Sequence, residues 1–311
     1  LRCSGAGGQL LADSGRLANN SELSRVGIVG TPSDIAPSLH DPQPTASIRR
    51  VRIEFLSRLY IARLLGVPTA PIVRAQKAAC EDQLAALLEQ QAAAAPGIAK
   101  RDPDAVQSVA EGLVMTGMAM AFAQVSRPAS GLEHYFSHVW EMLALERKVP
   151  YDLHGIQVGV GTMLTMDIFE ELKKIRPDRA VAEKHMRAFD ARKWEAEIRR
   201  IFGATAGEIL RIEQKFRKND PASHAERLNV ILDRWEEILR AVDEELPELT
   251  WLENLLKPTG MPLTPEEISV PRQDVRDAFV GSRDIRDKYL VSTLIWDLGR
   301  MDEFAERLLH P

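Results

Sequence analysis

From about residue 76 onward, apolar side chains recur every three or four positions, the period of helices with one buried face. The starts of these helices are marked locally. Val73 to Ala94 is rich in Ala, Leu, Gln and Glu and is closed by Pro96-Gly97. Asp102-Pro103 pairs a capping carboxylate with proline at the first helical position and opens a helix to about Gln124. Ser130-Gly131-Leu132-Glu133 has capping-box spacing and opens another to about Lys148, and His154 begins the next, to Lys174. Pro177, Asp190, Ala206 and Pro221 begin further segments, with Trp194, Ile198, Ile201, Leu210, Ile212 and Phe216 at helical intervals. Pro247, Thr264-Pro265, Gln273 and Asp284 start the last four, ending near Leu309. With no convincing strand alternation, residues 76–311 read as one all-helical domain.

The first 75 residues follow a different pattern. Pro32, Pro37, Pro42, Pro44, Pro68 and Pro71, with Gly5, Gly7, Gly8, Gly15, Gly27, Gly30 and Gly66, interrupt every longer run. One helix is expected there, roughly Ala46 to Leu65, within an otherwise irregular N-terminal segment. Gly5-Ala6-Gly7-Gly8 lacks the preceding strand and following acid of a dinucleotide loop, so a flexible end is expected. The 311 residues carry a net charge of -5, which disfavours nucleic acid as a partner. Two cysteines, Cys3 and Cys80, supply neither a disulfide framework nor a thiolate metal site. No apolar run is long enough for a membrane span, and no secretory signal is evident. A cytoplasmic protein, with a homo-oligomer left open, is the expectation.

Three of the 7 histidines, His134, His138 and His154, fall close together. His134 and His138 share one helical face, and His154 heads the next helix, after a short Pro150-containing connection. Imidazoles from two neighbouring helices can hold a divalent transition metal. The same spacing also suits ordinary packed or surface histidines, and no completing carboxylate is identified by spacing. Glu133 points about 100° away from His134 around the helix, so a capping role is expected for it. Arg283, Arg286 and Lys288 could receive a phosphate, although a solvated helix face is the simpler reading. Met115, Met118, Met120, Met163 and Met166 read as core filler, and Lys173-Lys174-Ile175-Arg176 as a helix C-terminal turn.

The stretches Ser126-Arg127-Pro128-Ala129-Ser130-Gly131-Leu132-Glu133-His134-Tyr135-Phe136-Ser137-His138 and His154-Gly155-Ile156-Gln157-Val158-Gly159-Val160-Gly161-Thr162 resemble the sn-glycerol-1-phosphate dehydrogenases. Lys100-Arg101-Asp102-Pro103 and Arg283-Asp284-Ile285-Arg286-Asp287-Lys288-Tyr289 extend the resemblance to about residues 80–309. That family sits in the superfamily of iron-containing alcohol dehydrogenases, glycerol dehydrogenases and dehydroquinate synthases. The resemblance implies an all-helical metal-binding domain that normally follows an α/β nucleotide-binding domain. It implies His134 and His154 as metal ligands and His138 as a substrate contact. It further implies a divalent metal (zinc or nickel), NAD(P), and reduction of dihydroxyacetone phosphate to sn-glycerol 1-phosphate, a phospholipid precursor. The family's third ligand, an aspartate, has its nearest echo at Gln9, and no nucleotide loop is found in residues 1–75. The chain is therefore expected to be a truncated dehydrogenase lacking its cofactor half. A non-catalytic helical scaffold, or a glycerol dehydrogenase within the same superfamily, is the alternative.

Overall fold

The computed structural model describes residues 92–123 and 130–310, and every regular element in them is helical. A helical stretch over 92–98 leads into α1 (Pro103–Ala123), where Asp102 accepts the Asp104 amide as its sequence implies. The site is carried by α2 (Leu132–Arg147) and α3 (His154–Leu172). Further along come α4 (Arg179–Ala188), α5 (Ala191–Phe202), α6 (Ala206–Phe216), α7 (Pro221–Asp233) and α8 (Trp235–Glu245). The chain ends with α9 (Leu249–Leu256), α10 (Arg272–Ser282), α11 (Val291–Asp297) and α12 (Met301–Leu309). Among the described residues, no helix is long and apolar enough to cross a membrane.

Most expected starts lie where short-range chemistry puts them. Asp178, Asp190 and Asp220 each accept amides of the first turn that follows, and Pro221 occupies the first position of α7. Four expectations need correction. Thr264-Pro265 opens only a single 3-10 turn, Glu266–Ile268. Trp235 starts a helix of its own, with Arg234 breaking the path from α7. Asp284 does not begin a helix: residues 283–290 form a loop, and α11 starts at Val291. Consequently Arg283, Arg286 and Lys288 are not a solvated helix face. Arg283 and Lys288 are buried, and only Arg286 is exposed. The N-terminal segment, Gln9, the Ala46–Leu65 helix and the side chains of Met115, Met118 and Met120 lie outside what is described.

The core forms where α2 and α3 pack as an antiparallel pair and α10 crosses α2. Tyr135, Phe136, Val139, Trp140 and Leu143 of α2 meet Val160, Met163, Met166, Ile168 and Phe169 of α3, all buried. Val275, Ala278 and Phe279 of α10 close the cluster, with Phe304 and Leu308 of α12 behind them. At Gly161 a Cβ would stand 2.5 Å from the Glu133 carbonyl oxygen, so a side chain there would push α3 away from the first turn of α2. Lys148 ends α2 in the left-handed region (φ 56) and returns its amide to Ala144 and Leu145, which turns the chain back toward α3. The far end of α2 is pinned to α10 by Arg147, whose guanidinium donates to both Asp274 oxygens at 2.5 and 2.9 Å.

Candidate metal centre

The heptad-like spacing of α2 sets His134, His138 and Glu141 along one stripe, one turn apart. The Lys148 turn and the close approach at Gly161 bring the head of α3, and hence His154, to that stripe. The ring centroid of His154 is 5.4 Å from that of His134 and 5.2 Å from that of His138, while His134 and His138 are 6.3 Å apart. The three sequence-predicted histidines thus converge on one place. Glu141 joins them: ligand atoms of His138, Glu141 and His154 all lie within 4.8 Å of one another. Glu141 was not singled out from sequence, yet its spacing of three residues from His138 and seven from His134 is a helical-face signal.

Each of two rings has a carboxylate on Nδ1. His134 Nδ1 is 2.7 Å from Glu133 Oε1, which also accepts the Gly131 amide at 2.8 Å. The capping expectation for Glu133 is therefore half of its role. The N-cap is Gly131 and has no side chain to answer, and the buried carboxylate turns back to hold the neighbouring ring despite its different helical azimuth. His154 Nδ1 is 3.1 Å from Glu141 Oε1 and 2.9 Å from Ser137 Oγ.

The proton on His154 follows from the chain of bonds behind it. Gln157 Nε2 donates to the Asp152 carbonyl (3.0 Å), so its Oε1 is the acceptor and Ser137 Oγ donates to it at 3.1 Å. Having spent its proton, Ser137 can only accept from the ring, which puts the hydrogen on Nδ1. In the neutral ring a hydrogen on Nδ1 leaves the lone pair on Nε2, for His154 here and for His134 with its Nδ1 on Glu133. A carboxylate on one ring nitrogen and a lone pair on the other is the arrangement that orients imidazole ligands in metal sites. The donors within reach of a single divalent ion are the nitrogens of His138 and His154 and a carboxylate oxygen of Glu141, with the His134 ring next to them.

His138 is held differently. Burial lowers its pKa to about 4, and the charges of Arg286, His154, His134 and Lys288 add to the effect, so it is a neutral imidazole at neutral pH. Arg286 and Lys288 come from the 283–290 loop. Lys288 Nζ donates to the Ser130 carbonyl at 3.2 Å and lies over the Tyr135 ring at 5.7 Å, which anchors the loop at the head of α2. Sequence placed these cations in the right stretch but on a helix.

No family model matches the chain. Among curated proteins, it is 26% identical over 202 residues to a glycerol-1-phosphate dehydrogenase [NAD(P)+] of Bacillus licheniformis, covering 65% of this chain and 37% of that protein. The Bacillus subtilis protein of the same name is 35% identical over 109 residues, which is 35% of this chain and 26% of that protein. The Pyrococcus furiosus protein of that name is 46% identical over 63 residues, 20% of this chain and 17% of that protein. The chain resembles the glycerol-1-phosphate dehydrogenases. It spans well under half the length of each of these three relatives. The all-helical architecture fits the helical domain that the dehydrogenase resemblance implies.

Proposed function

We propose that residues 76–311 are the metal- and substrate-binding part of an NAD(P)-dependent glycerol-1-phosphate dehydrogenase, reducing dihydroxyacetone phosphate to sn-glycerol 1-phosphate. The observation that carries the proposal is the convergence of His134, His138 and His154, with carboxylates on the Nδ1 atoms of His134 and His154. His134 and His154 would hold the metal, zinc or nickel, oriented by Glu133 and Glu141. When bound, that ion supplies Lewis-acid polarisation of a ketone carbonyl. His138, neutral and beside both ligands, offers a hydrogen bond to the substrate. The charges of Arg286 and Lys288 act on His138, and a phosphate group beside it would meet that positive charge. The relatives' names supply NAD(P) and glycerol 1-phosphate.

A second ligand set, His138, Glu141 and His154, is favoured by the proximity of their ligand atoms. Zinc titration of the chain with His134→Ala, Glu141→Gln and His154→Ala separates the two. Loss at His134 and His154 with a smaller effect at Glu141 supports the first set; loss at Glu141 with none at His134 supports the second. Zinc affinity unmoved by all three would make the histidines packing residues. For the reaction itself, the full-length gene product supplied with zinc or nickel should oxidise NAD(P)H with dihydroxyacetone phosphate. Failure there would leave the helical scaffold reading, and activity on glycerol would indicate a glycerol dehydrogenase.

A further inference from the structure

Lys218 lies just past the end of α6, and although it is a lysine it is almost wholly buried. The turn that carries it is fixed from two sides. Glu213 accepts the amides of Lys218 and Asn219 at 3.1 and 2.8 Å, and Arg227 of α7 donates to the Lys218 carbonyl at 3.0 Å. The ammonium then reaches across to the 283–290 loop. It donates to the Arg283 carbonyl at 2.5 Å, to the Arg286 carbonyl, and to the Lys288 carbonyl at 3.5 Å. Its three N–H donors are thus met by three carbonyls of one loop, a match that a single side chain makes only if the loop is wrapped around it. The loop is also gripped by its own first residue: Arg283 stacks on Trp296 at 4.0 Å and donates to Asn219 Oδ1 at 2.6 Å. On its other side the same loop brings Lys288 to the Ser130 carbonyl and puts the charge of Arg286 on His138.

Burying an ammonium is costly, and carbonyl dipoles offset that cost only in a fixed geometry. A methionine or leucine would fill the same space more cheaply if the position served packing alone. We propose that Lys218 is a positioning residue for the histidine site: by tying three carbonyls of the 283–288 segment, it holds Arg286 and Lys288 against the cluster. The consequence for phosphate affinity rests on the reading that this site takes a phosphorylated ligand.

The full chain is compared as wild type, Lys218→Met, Lys218→Arg and Arg286→Gln, by hydrogen exchange along the backbone and by calorimetric titration with inorganic phosphate. Lys218→Met should speed exchange at residues 284–288 on the order of tenfold or more, with the core amides of α2 and α3 unchanged. It should weaken phosphate binding about as much as Arg286→Gln does, and Lys218→Arg, which keeps a cationic donor, should recover part of both. Should the methionine variant lose its helical signal, Lys218→Gln, too short to serve three carbonyls, is judged on the same two measurements. Wild-type exchange at 284–288 in a folded Lys218→Met or Lys218→Gln chain overturns the proposal. If the loop is released in these variants but Arg286→Gln leaves phosphate affinity unchanged, the positioning role stands and the phosphate reading fails.

Discussion

Glu133 and Glu141, both on α2, do parallel work at the site. Each offers a carboxylate to the Nδ1 of one imidazole, and each is replaceable by an isosteric amide that fills the same volume without the charge. If both act through their histidines, Glu133→Gln and Glu141→Gln should each weaken zinc binding about 10–100-fold, with little change in helical circular dichroism. The measurement is competition against a chromophoric chelator. A Glu133→Gln chain with wild-type zinc affinity would show that the Glu133–His134 bond serves only the cap. Lys218 gives a second test at this scale. Its burial lowers its pKa to about 8 from the ordinary 10.5, so between those values the unfolded chain binds a proton that the folded chain does not. Stability must then rise with pH through that window for this group, the reverse of a lysine stabilised by a partner. Urea midpoints at about pH 7 and about pH 9.5 should show the wild type gaining on Lys218→Met at the higher value. A difference that stays constant, or shrinks, would mean that the loop carbonyls compensate the ammonium for its burial and that its pKa is not lowered.

Helix starts were legible because their determinants are local. Asp178, Asp190 and Asp220 cap turns two or three residues away, and nothing distant is needed to place them. The 283–290 loop was not legible, because its conformation is imposed by Lys218, about 65–70 residues earlier in the chain, and by Trp296 beneath Arg283. The shared face of His134 and His138 could be read from spacing, as Glu141 also could have been. The place of His154 depends on how closely α3 approaches α2, and the sequence signals this only through the glycines of α3. Two of those glycines make a matched pair. At Gly161 a Cβ meets the Glu133 carbonyl at 2.5 Å, whereas at Gly155 it meets nothing within 4 Å. Gly161→Ala should lower stability by about 1–3 kcal/mol through overpacking and should weaken zinc binding by shifting α3 against His134. Gly155→Ala should raise stability by up to about 1 kcal/mol by restricting the unfolded chain. Equal effects at the two positions, read from urea denaturation, would mean that the helices do not approach closely at Gly161.

At the scale of the whole molecule, the C-terminal helices are joined to α7 through charge as well as through apolar contact. Asp297, wholly buried at the end of α11, accepts two bonds from Arg227 of α7 at 2.7 and 2.8 Å and one from the Tyr289 hydroxyl at 2.8 Å. Its carbonyl is 2.9 Å from His224 Nε2, also on α7. Burial and the Asp297 carboxylate push the Tyr289 phenol well above its ordinary pKa, so it stays a donor at any ordinary pH. One carboxylate therefore fastens α7, α11 and the end of the Lys218-bound loop together. Asp297→Asn leaves the partly buried Arg227 guanidinium without its counter-charge, and breaking such a pair from one side costs up to about 3–5 kcal/mol. Arg227→Met made in the same chain removes the stranded charge, so the double variant should recover much of that loss. Denaturation of the wild type, the two single variants and the double variant gives the coupling energy directly. Single effects that simply add would mean that Arg227 and Asp297 act independently. The loop at the histidine site would then owe its position to Lys218, Arg283 and the Lys288–Ser130 bond, with no contribution from the Arg227–Asp297 pair.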